Sequence, residues 1–351
     1  MDTPAGFPWL EIAGKTLTGW LVTGMDATLV TAHSDKQGAA PAWKKGYGFR
    51  PLGAWCRNTS ECLAMLLRPG NAGPNTFTGH REVLAAAIRQ VPARFRRRIL
   101  IRAGGAGASH ELVKHLLSLA SPRRTVLFTC GWMITGADKD AIRQVPADAW
   151  KPGIAQDGSA GDDKAVAEIT HLMSRAGNWP DGLRWIVRKV KPSRRQMRNL
   201  TACEKKTGWR YSIICTNTPL TGTGGVPGSH HPQYFDVVHR EHACVETAGV
   251  RTAKAMGLRA LPSKTWQVNA GWVIAANIAA DLAAWNRLLG LCDDAELREA
   301  DPDTLRYQIW HVPARLARHA RQRTLAISPD WPWADAFLAC WQRLCALPAP
   351  D

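Results

Sequence analysis

Acidic residues are in the minority in this 351-residue chain, with 29 Asp and Glu against 45 Lys and Arg, and Phe (7) and Tyr (4) are scarce beside 16 Trp. No C-x-x-C pair occurs among its nine cysteines, at positions 56, 62, 130, 203, 215, 244, 292, 340 and 345. Their odd number and scatter exclude a zinc ribbon or a disulfide-stapled scaffold and favour reduced core thiols. No apolar run is long and unbroken. The most apolar stretch, Trp266 to Leu289, is interrupted by Asn269, Asn277, Asp281 and Asn286, so it is expected to be a buried helix rather than a membrane span. Met1 to Leu10 carries no basic region followed by apolar residues, which excludes a signal peptide and leads to the expectation of a soluble, cytoplasmic protein. Low hydrophobicity is lacking as well: 45% of residues are hydrophobic and 21% charged, which excludes general disorder. At roughly 150 residues per domain the length fits one large or two modest domains.

Positive charge is in surplus. A formal net charge of +16 asks for a polyanionic partner, because Lys and Arg that neutralise phosphates release condensed counterions. Arg outnumbers Lys by 31 to 14. GC-rich codons would explain Arg in place of Lys but not an excess of cations over anions, so nucleic acid is the expected partner.

The first strong element, Thr18 to Ala32, is rich in β-branched and apolar residues and reads as a buried strand. Asp26 lies inside it. A carboxylate there is costly unless paired, hydrogen-bonded or metal-bound, although an Asp that caps a turn at the strand end fits the pattern too. The loop from His33 to Leu52 interleaves Lys36, Lys44, Lys45 and Arg50 with Trp43, Tyr47 and Phe49. Cations beside aromatic rings suit phosphate contact and base stacking, and also suit an ordinary charged hairpin.

A strand through Trp55 and another from Glu61 to Leu67 precede the turn cluster Arg68 to Asn75. Helical periodicity follows from Gly79 to Gln90, then a strand from Ile99 to Ala103, a helix from Ser109 to Ala120 with Ser109 as N-cap, and a strand from Arg124 to Met133. The turn Gly104-Gly-Ala-Gly-Ala108 lacks the spacing and the Lys of a phosphate-cradling loop.

Residues 136–230 read as a β-rich insertion, with strands at Val166–Met173, Gly182–Val190 and Gly208–Thr216, a concentration of Lys and Arg from Arg184 to Arg210, and a Gly-rich exit at Thr221–Gly228. Helices are expected over 233–256, 265–290, 302–326 with an irregularity at Pro313, and 332–346. His239, His242 and Glu246, at i, i+3 and i+7, share one helical face with Lys254 two turns on, as a solvated stripe or a site. Without an H-E-x-x-H pattern, a zinc hydrolase is disfavoured.

Met25-Asp-Ala-Thr-Leu-Val-Thr-Ala-His-Ser-Asp-Lys36, Lys44-Lys-Gly-Tyr-Gly-Phe-Arg-Pro-Leu52, Leu67-Arg-Pro-Gly-Asn-Ala-Gly73, Gly257-Leu-Arg-Ala-Leu-Pro262, Asp303-Thr-Leu-Arg-Tyr307 and Trp331-Pro-Trp-Ala-Asp335 together resemble the DDE-type, RNase H-like transposases of bacterial insertion sequences. The resemblance implies an α/β fold: an RNase H-like mixed sheet with flanking helices, interrupted by a β-rich insertion, and a helical C-terminal part. It divides the chain into 1–135 and 231–295 as the two halves of the catalytic domain, 136–230 as the insertion and 296–351 as the helical end.

The same resemblance implies metal-dependent cleavage and transfer of DNA strands at element ends and target, in a homodimeric synaptic complex associated with the nucleoid. Asp26 would be the first metal ligand and Glu246 the third, holding two Mg²⁺ (or Mn²⁺) ions ~4 Å apart. His239, His242 and Lys254 stand where relatives place Tyr, Arg and Lys for DNA phosphates. Gly104 stands at the second Asp, in Arg102-Ala-Gly-Gly-Ala-Gly-Ala-Ser-His110, and only 25 residues precede Asp26. An N-terminally short copy with impaired strand transfer is therefore expected, or a catalytically dead DNA-binding remnant.

Overall fold

The computed structural model describes residues 6–42, 46–73, 76–104, 108–174, 176–220, 225–241 and 249–348. The centre is strand β1 (Leu21–Ala27), whose first five residues are all buried. Around it lies a nine-stranded sheet made with β2 (Leu52–Cys56), β3 (Cys62–Leu66), β4 (Arg98–Ala103), β5 (Thr125–Trp132), β6 (Lys151–Ile154), β7 (Ala160–Glu168), β8 (Arg184–Val190) and β9 (Arg210–Thr216). The spatial order is β6-β7-β8-β9-β5-β4-β1-β2-β3. β4 runs parallel to β1 and β5 parallel to β4, whereas β2 and β3 are antiparallel neighbours on the other side. This is an RNase H-like mixed sheet.

Central parallel strands must be covered on both faces, which is why Ile99-Leu100-Ile101 is an unbroken apolar run. Alternate residues divide between the faces. Leu21, Met25, Ile99, Ile101, Val126 and Phe128 face one cluster with helices α1 (Phe77–Gln90) and α2 (His110–Ser118). Val22, Leu100 and Leu127 face Tyr234, Phe235, Val237 and Val238 of α3 (Pro232–Arg240) on the other. Ser109 caps α2 as expected, its Oγ accepting from the Leu112 amide at 3.3 Å. Arg102, fully buried, donates from Nη1 to the Val238 carbonyl at 2.9 Å and so tethers α3 to the sheet.

The strands of the β-rich stretch extend the central sheet: β9 pairs antiparallel with β5 from Thr129↔Thr216 to Trp132↔Ile213 and covers what would otherwise be an open, adhesive edge. Part of the stretch's basic character is internal. Buried Arg184 grips Glu168 through two hydrogen bonds, at 2.7 and 3.0 Å, and donates to the carbonyls of Thr218 and Ser229. Arg188 lies beside Asp236, while Arg194, Arg195, Arg198, Lys205, Lys206 and Arg210 remain exposed.

The helix expected over 302–326 ends at residue 310. Pro313 lacks the amide a helix needs and disfavours helical geometry before it, and a hairpin of β10 (Ala314–His319) and β11 (Gln322–Ile327) follows. Finally, α4 (Trp266–Trp285) is buried on one face only. Asn269, Val273, Ala276, Asn277 and Ala280 point inward, and Val268, Trp272, Ile274, Ile278, Leu282 and Trp285 are exposed. The polar residues sit inside because each serves the backbone. Asn269 bonds both the amide and the carbonyl of Ser263, at 3.0 and 2.9 Å, and Asn277 donates to the Val273 carbonyl. No helix among the described residues is long and apolar enough to cross a membrane.

Asp281, on α4, accepts from the Cys62 amide at 2.6 Å and pins α4 to β3. Burial, with Glu61 nearby, raises its carboxyl pKa from 3.8 to about 7. The folded chain therefore holds this proton more tightly than the unfolded chain, so this group's contribution to stability falls as pH rises from about 4 to about 7. Asp281→Asn keeps an acceptor for the Cys62 amide. It should gain stability relative to the parent across that window, as measured by urea unfolding at pH 4.5 and pH 8, with equal stabilities at both pH values as the contrary result.

Candidate active site

The end of β1 carries Asp26 into a cavity of about 320 Å³ lined by Asp26, Ala27, Thr28, Leu29, Ala42, Arg50, Val250, Arg251 and Lys254. Pairing places the carboxylate there. Asp26 lies opposite Gly53 of β2, and Met25 pairs with Ala103 of β4, so Gly104 follows directly at the same sheet edge. The opposite wall comes from the helical residues 249–258. The ring of Trp55 joins the two walls. A Cβ on Gly53 would lie 2.5 Å from that ring and one on Gly249 would lie 2.7 Å from it, so glycine at both positions lets the indole bridge β2 and the segment bearing Arg251 and Lys254.

Arg50 contributes most to the cavity's chemistry. It is 8% exposed, and its Nη1 is buried with no hydrogen-bond partner among the described residues. Arg68, 5% exposed, lies beside it: the Arg50 amide donates to the Arg68 carbonyl at 3.0 Å and Arg68 Nε donates to the Arg50 carbonyl at 3.1 Å. Arg68 Nη2 is likewise buried without a partner among the described residues. Burial, and then the charge of Arg50, pull the Arg68 pKa down to about 10. No ion pair to either arginine occurs among the described residues. Two adjacent buried cations with donors to spare form an arrangement that an anion relieves. Residue patterning overlooked Arg68 because Arg68-Pro-Gly reads first as a turn; its signal was its place in the stretch Leu67 to Gly73.

The cavity brings together Asp26, Arg50 and Lys254 of the residues expected from the sequence. Lys36 is elsewhere, its Nζ donating to the Leu261 carbonyl. His239 is half-buried on α3, its Nδ1 sharing a 2.9 Å hydrogen bond with Thr129 Oγ1 of β5. Lys44, Lys45, His242 and Glu246 lie outside the described residues. Among the described residues the cavity lining holds one carboxylate and three cations, and Gly104 brings no side chain to the neighbouring position. Among the described residues no three His, Cys, Asp or Glu gather as metal ligands. The described part of this lining suits an oxyanion such as a phosphodiester.

Residues 12–349 match the family model described as Transposase DDE domain group 1. The chain belongs to this family. A solved structure, the piggyBac transposase synaptic complex with hairpin DNA, aligns at 10% identity and a TM-score of 0.43, covering 82% of this chain and 51% of its own. The chain thus spans about half the length of that transposase. No curated protein matches it.

An anion that fills the cavity should stabilise the fold, because a ligand bound only by the native state raises its stability. The melting temperature should rise in millimolar sulfate relative to chloride at equal ionic strength, and Arg50→Gln should abolish the rise. An equal rise in the variant would place the anion elsewhere.

Proposed function

We propose that this member of the transposase family binds the phosphodiester backbone of double-stranded DNA in the Asp26 cavity and that its strand cleavage and transfer are impaired at Gly104. The observation that carries the proposal is the buried Arg50, whose Nη1 donor is unused among the described residues, backed by Arg68 and sharing its cavity with Lys254 and Asp26. A guanidinium fork suits the paired oxygens of a phosphate, and the more mobile ammonium of Lys254 adds a point charge at the opposite wall. Arg251 is partly engaged by Asp301 at 2.8 Å, and so is available chiefly through its field.

The family's chemistry runs on divalent ions such as Mg²⁺, which activate the attacking oxygen and stabilise the leaving one when carboxylates converge on them. Asp26 would be one such ligand and Glu246, from its place in the sequence, another. With glycine at 104, the side of the cavity next to β4 has no ligand to offer, so binding and chemistry separate in this chain. Binding depends on cations that are present; cleavage depends on a carboxylate that is not. The catalytically dead DNA-binding remnant is the limiting form of the same proposal. Element ends, target DNA and a synaptic dimer are the partners this function would require.

Two measurements test it together. Binding of a mixed-sequence duplex should persist in EDTA, and nicking of supercoiled plasmid in Mg²⁺ or Mn²⁺ should be weak or absent and should increase in Gly104→Asp. Strong nicking by the parent chain that Gly104→Asp leaves unchanged would contradict the proposed impairment, and absence of duplex binding would contradict the function itself.

A further inference from the structure

Outside the cavity, the most unusual charged surface is the β10–β11 hairpin. All its residues from Ala314 to Ala326 are exposed and only Ile327 is half-buried. From Pro313 to Ser328 there is no acid, against Arg315, Arg318, Arg321 and Arg323. The register sets Arg318 directly opposite Arg323, with Leu316 opposite Leu325 one step toward the base on the same face. Like charges facing each other across two strands repel. The turn adds strain, because Ala320 and Arg321 have φ of +47° and +66° without a glycine. An isolated two-stranded hairpin is marginal in water. This one is fastened at its foot by the Ser328 amide donating to the Pro313 carbonyl at 3.0 Å, beside the packed rings of Tyr307, Trp331 and Trp333.

We infer that this hairpin is an arm that enters the major groove of duplex DNA, an inference that rests on the DNA-binding function proposed above but uses a surface separate from the residues lining the Asp26 cavity. Charge selects the occupant: repelling arginines with no acid among them are complementary to a dense polyanion, and ordering on its phosphates offsets the repulsion and the strained turn. Shape selects the form, since the major groove, about 12 Å wide, admits a two-stranded ribbon. At roughly 3.3 Å per residue, six-residue strands reach about 20 Å, enough to lay the tip in the groove while the foot stays on the body. Arg318, Arg321 and Arg323 at the tip then meet base edges and phosphates, and Arg315 meets the backbone at the rim.

The test uses the full chain with a fluorescent mixed-sequence duplex and the matching single strand, titrated across a KCl series. Replacing Arg315, Arg318, Arg321 and Arg323 by Gln should weaken duplex binding about tenfold or more and reduce the slope of log K against log salt by about two to four, at roughly 0.9 for each phosphate no longer neutralised. The corresponding Lys variant should retain most of the slope. Because the hairpin is exposed, both variants should keep the parent's melting temperature, which guards against misfolding. If the parent binds duplex and the Gln variant binds with the same affinity and slope, the arm is overturned while the cavity function stands. Tighter binding of the parent to the single strand, with the same weakening in the Gln variant, would overturn the groove assignment. A parent that binds no duplex would overturn both, whereas weakening confined to Arg50→Gln would leave only the cavity.

Discussion

The pairing of β1 with β4 on one side and β2 on the other is the constraint on which the rest of the molecule depends. It stacks apolar side chains toward α1 and α2 on one face and α3 on the other, and its register brings Asp26 to the sheet edge between Gly53 and the end of β4. Everything chemical follows from what surrounds that edge. Glycine at 53 and 249 lets Trp55 draw in the segment that bears Lys254. Glycine at 104 brings no side chain to the neighbouring position.

Arginine plays two roles that net charge alone does not separate. Arg184 is buried and spends its donors on two carbonyls and on Glu168, so it is a structural fastener. Arg50 and Arg68 are buried and each keeps a donor unused among the described residues, the feature on which the proposed anion site rests. Arg315, Arg318, Arg321 and Arg323 stand exposed on a hairpin that provides no acid to meet them. The net charge of +16 is thus partly internal architecture, and the cations available to a polyanion form at least two groups.

Much of the sheet was legible in the residues. β1 and β4 are continuous apolar runs because helices cover both faces, and Asp26 stood out as the one acid in such a run. Ser109 announced its helix because its side chain has a defined task at the first turn. The hairpin at 314–327 was not legible, since Ala, Leu, Arg and Gln are good helix formers and only Pro313 signals the break. The facing of α4 was hidden for another reason: composition reports how apolar a helix is, but which side turns inward depends on backbone groups elsewhere, at Ser263 and Cys62, that need Asn269 and Asp281. Arg68 escaped notice because its function arises from Arg50, 18 residues away in sequence and adjacent in space.

The claim that cavity binding is intact while the acidic centre is one carboxylate short is tested most directly by Mn²⁺ titration of the parent chain and of Gly104→Asp, followed by electron paramagnetic resonance. The account predicts weak Mn²⁺ binding by the parent and binding tightened by at least about tenfold in Gly104→Asp, a carboxylate being the hard oxygen ligand such ions take. Tight binding of two Mn²⁺ per parent chain, unchanged by the added carboxylate, would contradict it.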